Sequence, residues 1–439
     1  MDQLLTNNQT VITESSHSPC TIERLLGSGG QGEVYQCQLG GQPTALKWYY
    51  PHYLQNDRSL RSRLQNAIHL GTPNTKFLWP IELVSAEGIP GFGYVMPIRH
   101  PRYKGLNDLM MGRLDPSFRA ITTACLQLTD SFLEIHAKGF CYRDISFGNV
   151  FFDPSTGDVL ICDNDNVVEN GKTEGGILGT PRFMAPEVVR NEALPSTETD
   201  LFSLAVLLFY LLTISHPLEG AKEANIRCLD APAMNKLYGT EPVFIFDPQD
   251  TSNRPVPGIH DNPLAYWPIY PQFLQNLFIR AFTAGMNNVD QRIRESEWRS
   301  AMIKLRDSIL YCHSCGSENF YDGDKLQQMG GASPSCWSCD QTLKIPPRIR
   351  IDQSVIMLNR DTQLFPHHLG NAYQFDRPVA EVSRHPTNPN IWGLKNLSST
   401  RWTITTAEGN MKNIEPNQSL TLAVGTKINF GQVMGEIRL

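Results

Sequence analysis

The run "CYRDISFGNVFFDPSTGDVLICDNDNV", Cys141 to Val167, constrains the fold more than any other stretch of the chain. "NVFF" and "VLIC" have the length and composition of strands, and "DPSTGD" between them has the composition of a turn. A short hairpin brings its two ends together. Asp144 and Asn149 lie at the start of its first strand, Asp163 follows the second, and the three are therefore expected to converge. Two carboxylates and an amide oxygen facing one space suit a hard cation such as Mg²⁺, with phosphate oxygens and water completing its shell. The plainer reading is an ordinary strand after a polar turn, and the rest of the chain must decide between them.

Upstream, "LLGSGGQGEVYQCQL" sets Gly27, Gly29 and Gly32 in GxGxxG spacing. A dinucleotide-binding fold needs a helix after such glycines. Here Tyr35, Cys37 and Leu39 alternate with Gln36 and Gln38, which is the period of a strand. The glycines therefore turn a hairpin, and such a loop lies close over phosphates and offers them its N–H groups. Lys47 stands fifteen residues past Gly32, in the apolar stretch "TALKWYY". Phosphate oxygens under the loop would satisfy its ammonium. Taken singly, a Gly-rich hairpin and a snorkelling surface lysine are the plainer readings.

At 439 residues the chain exceeds one ordinary core, so two or three domains are expected. With 41 % hydrophobic and 19 % charged residues it reads as soluble and globular. A net charge of −6 carries no nucleic-acid or membrane footprint. "MDQLLTNNQTVITESSHS" has neither the basic start nor the apolar core of a secretory signal. The longest apolar run, Leu201 to Ile214, is too short to span a bilayer and reads as a buried core helix. Of ten cysteines, four form two CxxC pairs and six are single, which suits a reducing, cytoplasmic setting with one metal site.

Residues 20 to 100 read as mostly β with one helix near "RSLRSRLQNAIHL", and 105 to 310 as mostly helical. Asp115 is the expected N-cap and Pro116 the first residue of a helix whose apolar stripe is Phe118, Ile121, Cys125, Leu128, Phe132 and Ile135, ending at Gly139. The Pro-rich passage Glu241 to Pro271 reads as an ordered surface insertion. After about 310 a cysteine-paired segment precedes some ninety residues of β-like alternation.

Taken in order, the motifs over roughly residues 20 to 308 resemble the eukaryotic-type Ser/Thr protein kinases. Gly27, Gly29 and Gly32 match the glycine-rich loop, and Lys47 the strand lysine that holds the α- and β-phosphates. Asp144 matches the catalytic-loop aspartate, Asn149 the metal-binding asparagine and Asp163 the Mg²⁺-binding aspartate. "GTPRFMAPE", Gly179 to Glu187, matches the end of the activation segment. Asp200 matches the aspartate bracing the catalytic loop, and Arg292 the arginine that pairs with Glu187. Met96, in "YVMP", falls among the expected nucleotide contacts. The resemblance implies ATP and Mg²⁺ (or Mn²⁺), with Asp144 accepting the proton of the attacking hydroxyl. It also implies that Arg143 receives a phosphorylated activation-segment residue, Thr173 or Thr180, unless Thr180 is structural and contacts Asp144.

Departures from the pattern are specific. Tyr142 replaces the catalytic-loop histidine, Ser146 the following lysine, and Asp163-Asn164-Asp165 the Asp-Phe-Gly triplet. The helix that normally lends a glutamate to the strand lysine has no well-placed acid. Gln65, eighteen residues past Lys47, is the nearest candidate, and Asp57 comes early. A nucleotide-binding pseudokinase scaffold is the main alternative. Small-molecule kinases of the aminoglycoside and choline type share Asp-x-Asp but lack the activation segment and Ala-Pro-Glu.

Cys312, Cys315, Cys336 and Cys339 form CxxC, twenty residues, CxxC. Four thiolates at that spacing close a tetrahedral structural zinc site, with His313 as a spectator. The last ninety residues read as a β-sandwich. They resemble a forkhead-associated domain through Ser383, Arg384, His385 and Asn396, though with one residue too few in the motif, so a phosphothreonine peptide is one expected ligand and a plain interaction module the alternative.

The expected architecture is a multidomain α+β chain. It comprises a tail (1–19), a bilobal kinase-like fold (20–98 and 99–309), a small four-cysteine zinc ribbon (310–345) and an all-β sandwich (350–439). This order resembles bacterial kinases encoded beside a PP2C-type phosphatase and a von Willebrand A protein in tellurite-resistance-type clusters. That resemblance implies Ser/Thr protein phosphorylation in bacterial stress signalling, with those two proteins and a protein substrate as partners.

Overall fold

A computed structural model of the chain describes residues 3–171, 178–370, 373–375, 377–385, 387–388 and 390–439. It contains two compact units, Met1–Trp267 with Asn276–Arg299, and Pro268–Gln275 with Ser300–Leu439.

In the first unit, alternation of apolar and polar residues builds β1 (Thr10–Thr13), β2 (Pro19–Ser28), β3 (Gly32–Leu39), β4 (Gln42–Tyr49), β5 (Glu82–Ala86) and β6 (Ile89–Pro97). They close a barrel in the order β1-β2-β3-β4-β6-β5. Residues 10–13 fall within the expected tail, yet β1 pairs with both β2 and β5 and removes the sheet's open edge. Val11, Cys20, Ile22, Tyr35, Leu46, Trp48 and Val95 fill one cluster of its core. Two glycines press on β4. A Cβ on Gly32 would lie 2.1 Å from the Trp48 carbonyl oxygen, and one on Gly93 would lie 2.3 Å from that of Lys47. By contrast, Cβ atoms on Gly27 and Gly29 would meet open space.

Helices α1 (Pro51–Asn56) and α2 (Leu60–Leu70) follow β4. The helix Phe118–Ala137 is capped by Ser117, whose hydroxyl accepts from Ala120 N at 3.1 Å. The cap therefore lies two residues beyond the expected Asp115, because Ser117 is the last extended residue (φ −63°, ψ 156°). The stripe from Ile121 to Ile135 is buried as expected.

Strands Val150–Phe152 and Val159–Ile161 pair antiparallel. The turn between them is tied by Asp153, which accepts from Ser155 N at 2.9 Å. Gly157 sits at φ 79° so close to the Phe118–Ala137 helix that a Cβ would be 2.1 Å from the Ala120 carbonyl. The apolar run forms the helix Thr197–Thr213, buried along its length after the first turn. Among the described residues no helix is long and apolar enough to cross a membrane.

The Pro-rich passage lies mostly at the surface but is anchored inside it. Phe244 and Ile245 are fully buried, and Phe244 and Trp267 pack on Phe209 of that helix. Asn253, also buried, donates to the carbonyls of Leu218 and Val243. Part of the passage thus enters the core of the first unit, because Phe244 and Ile245 supply apolar area that proline-broken backbone can still bury.

In the second unit, Ile309–Tyr311 pairs with Glu318–Phe320 beside the cysteine pairs. Among the described residues, ten short strands from Arg348 to Arg438 form a six-stranded and a four-stranded sheet. Trp402, Ile349 and Ile437 of the larger sheet and Leu364, Val382 and Leu394 of the smaller share one apolar cluster.

Candidate active site and four-cysteine centre

The site begins with Lys47 on β4, a side chain only 5 % exposed. Its ammonium donates to Gln31 Oε1 at 2.5 Å, to Asp165 Oδ2 at 2.8 Å and to Asp163 Oδ1 at 3.3 Å. The two carboxylates are not equivalent, since Asp165 is 1 % exposed and Asp163 is 40 %. The Tyr49 hydroxyl also donates to Asp165 Oδ2. Burial works against the Lys47 charge, but the carboxylates of Asp165 and Asp163 more than reverse it and hold the ammonium well above the usual range. Burial likewise pushes Asp165 up, but Lys47 and Tyr49 bring it below the ordinary carboxylate value. Burial and the neighbouring Asp165 charge leave Asp163 raised.

Asp144 and Asn149 are joined, the Asn149 amide donating to Asp144 Oδ2 at 2.9 Å and to its carbonyl at 2.8 Å. That leaves the Asn149 amide oxygen as the atom a cation would take. The hairpin ties these groups to Asp163, since Cys162 N donates to the Asn149 carbonyl at 2.9 Å. Asp163 itself is in the left-handed region at φ 52°, a costly conformation for a residue with a Cβ. Thr180 Oγ1 donates to Asp144 Oδ1 at 2.8 Å, the structural option for this threonine. Thr173 lies outside the described residues.

Beneath the loop, Asp200 accepts from Tyr142 N at 2.5 Å and Arg143 N at 3.0 Å. His136 reaches Asp200 at 3.2 Å and also pairs with Glu295. Burial disfavours its charge, but the two carboxylates raise it to about 9. Arg292 grips Glu187 through both carboxylate oxygens, at 2.7 and 2.9 Å. Arg143, at φ 73°, donates from Nε to the Asn166 carbonyl at 2.8 Å. Burial, then the nearby Arg63 charge, lower its pKa.

The residues that depart from the family pattern were visible in the sequence, but their contacts were not. Tyr142 fills the histidine position with its hydroxyl on the Cys162 carbonyl. Asn164, in the phenylalanine position, is buried and donates to the Leu78 carbonyl at 2.9 Å. Met96 lies opposite Ala45 in the β4–β6 register, and both join Leu160 in one apolar cluster. A cluster of that kind suits the flat apolar face of a base. Gln65 is exposed. Asp57 instead makes a bidentate pair with Arg63, at 2.9 and 2.6 Å.

In the second unit, the ligand atoms of Cys312, Cys315, Cys336 and Cys339 all lie within 4.8 Å of one another. Cys312–Cys339 and Cys315–Cys336 are each 3.7 Å apart. A tetrahedron of ~2.3 Å Zn–S bonds has edges of about 3.8 Å, so the thiols fit the ion. Backbone N–H groups of Ser314 and Ser338 donate to Cys312 and Cys336 at 3.4 Å, and buried Asn319 donates to Cys336 at 3.5 Å. His313 is exposed and outside the cluster.

The forkhead-associated residues do not converge. Arg384 pairs in register with Trp392 and its guanidinium stacks on that ring, 4.6 Å from the centroid. Asn396 is at the other end of the same strand pair, opposite Ala380 and about 13 Å away at strand rise. Its buried amide is spent on the carbonyls of Thr400 and Ile414 and on Ser398. Strand register thus sets Arg384 and Asn396 at opposite ends of one hairpin.

Comparison with known proteins agrees with the first unit. The chain is 28 % identical over 214 residues to the DNA damage-responsive serine/threonine-protein kinase RqkA of Deinococcus radiodurans, covering 46 % of this chain and 31 % of that protein. It is 28 % identical over 230 residues to the serine/threonine-protein kinase pkn2 of Myxococcus xanthus, covering 48 % and 26 %. It is 29 % identical over 210 residues to rhodopsin kinase GRK1 of Rattus norvegicus, covering 46 % and 36 %. The matched segments thus span about a third of the length of these relatives. Residues 20–256 match the protein kinase domain, a stretch that holds the glycine hairpin, Lys47, the Asp144–Asp163 hairpin and Glu187, and the chain therefore belongs to the protein kinase domain family.

Proposed function

We propose that the chain transfers the γ-phosphoryl group of ATP to serine or threonine hydroxyls of protein substrates. The observation that carries this reading is the linked set Lys47–Asp163 (3.3 Å), Cys162–Asn149 (2.9 Å) and Asn149–Asp144 (2.9 Å). Lys47 and the N–H groups of the Gly27–Gly32 loop would hold the triphosphate, with Met96, Ala45 and Leu160 against the base. Asp163 and Asn149 would hold a divalent cation, Mg²⁺ or Mn²⁺, whose charge neutralises the phosphate oxygens when bound. The substrate oxygen bonds to the γ-phosphorus as the bond to the ADP oxygen breaks, and Asp144 takes the hydroxyl proton. Positioning and charge neutralisation supply most of the catalysis.

The four cysteines hold a structural zinc in this reading, and the two sheets of the second unit act as a β-sandwich interaction module. RqkA is named as DNA damage-responsive, which supports a place for this chain in bacterial stress signalling. The PP2C-type phosphatase and the von Willebrand A protein are its proposed partners by resemblance.

Incubation with Mg²⁺, labelled ATP and a general protein substrate, followed by mass spectrometry, tests the reading. Phosphate should appear on Ser or Thr, including Thr173 of the chain itself, and fall by about 10²–10³-fold in Asp144→Ala and Asp163→Ala. Nucleotide binding by the wild type without phosphate transfer would replace the enzyme with a pseudokinase scaffold.

A further inference from the structure

A buried ammonium needs a buried counter-charge. In protein kinases that charge comes from a glutamate on the helix after the lysine strand, paired with the lysine. Helix α2 lacks one. Its buried residues are Leu60, Arg63, Leu64 and Ala67, and its charged member carries the wrong sign. Arg63 is committed to Asp57, with its Nε 3.5 Å from the Asp165 carbonyl. Gln65 is exposed.

The anion comes instead from Asp165, two residues beyond Asp163. Its Oδ2 accepts from Lys47 at 2.8 Å and from the Tyr49 hydroxyl. Lys47 and Tyr49 are two apart on β4 and so project from the same face. The exposures divide the charges. Lys47 and Asp165 are 5 % and 1 % exposed and neutralise each other, whereas Asp163, 40 % exposed, is left to face a cation. Without Asp165 the ammonium would have Asp163 as its remaining acidic partner within 4 Å, in competition with that cation.

We propose that Asp165 is the positioning residue for Lys47. The activation segment, and not helix α2, supplies the ion pair that orients the lysine toward a nucleotide triphosphate, and it frees Asp163 for the metal. This rests on the phosphotransfer reading of the same cleft. One consequence is regulatory: displacement of α2 does not by itself disconnect the lysine, whereas reordering of the segment after Asp163 does.

The test compares wild type, Asp165→Asn, Asp165→Glu and Gln65→Ala in the full chain. Calorimetric titration with a non-hydrolysable ATP analogue across a Mg²⁺ series reads binding, and phosphate incorporation reads KM and kcat. Asp165→Asn should weaken analogue binding and raise the KM for ATP about tenfold or more, and should raise the Mg²⁺ needed for half-maximal binding. Asp165→Glu should recover most of both, and Gln65→Ala should match wild type. Wild-type binding in Asp165→Asn, faster turnover in it, or a Gln65→Ala loss as large as that of Asp165→Asn would overturn the proposal. Should circular dichroism show Asp165→Asn unfolded, Tyr49→Phe and Gln65→Ala decide. A several-fold loss of binding in the first with none in the second supports the assignment, and any other pairing overturns it. Absence of phosphate transfer by the wild type removes the enzymatic reading but leaves the binding comparison intact. Wild-type binding in Asp165→Asn alongside normal transfer removes only Asp165.

Discussion

The lysine cleft and the four-cysteine centre both gather polar or ligating groups into one space, yet they assemble on different length scales. Cys312 and Cys315, like Cys336 and Cys339, are three residues apart, so each pair is brought together by one tight turn of its own backbone. Lys47 meets Asp165 across 118 residues. Where the partners are local, spacing dictates geometry. Where they are distant, packing selects which of several polar groups arrives, and here it brings Asp165 to Lys47 while Gln65 stays exposed and Asp57 pairs with Arg63.

The largest expected effect breaks the local half of the comparison. Cys312→Ser, or a strong chelator, should reduce bound zinc from one equivalent to none, as read by atomic absorption. It should also unfold the ribbon, since metal binding in such modules supplies on the order of 10 kcal/mol of folding free energy. The next breaks the distant half. Lys47→Met should cut phosphate incorporation about 10³-fold, ~4 kcal/mol in the barrier, while leaving zinc content unchanged.

Gly32→Ala should destabilise the barrel by about 3 kcal/mol in urea unfolding, because its Cβ would overlap the Trp48 carbonyl at 2.1 Å and backbone cannot step aside. Gly29→Ala, with nothing within 4 Å, should cost less than about 1 kcal/mol and act on nucleotide affinity instead. A pH-dependent effect concerns the support of the Tyr142–Asp144 loop. His136 is raised from 6.5 to about 9 by Asp200 and Glu295 against the cost of burial. Its contribution, on the order of 3 kcal/mol, is whole below about pH 6.5 and is lost as pH rises through about 9. Melting temperature should fall over that window in the wild type and fall less in His136→Gln.

Much of the cleft was legible because phosphoryl transfer needs residue types at fixed intervals. Glycines followed by strand alternation specified a hairpin and not a helix, and the Asp144–Asp163 hairpin follows from two short apolar runs about one turn. Three things were not legible. The partner of Lys47 depends on which acid is buried, and burial is a property of the packed site. The strand Thr10–Thr13 has too few residues for its alternation to stand out, and only pairing with β2 and β5 reveals it. Phe244 and Ile245 sit in proline-broken backbone that carries no periodicity, although their side chains fill the core. In the C-terminal strands it is register that sets the separation of Arg384 and Asn396 along one hairpin.

By itself the sequence determined the residue types of the cleft, their order and the metal-sized spacing of the cysteines, because these are short-range demands of phosphate and thiolate chemistry. The tertiary structure alone decided which carboxylate neutralises Lys47 and which remains exposed to a cation. That choice follows from desolvation, a quantity that exists only once the β4 strand and the segment after Asp163 have closed against each other.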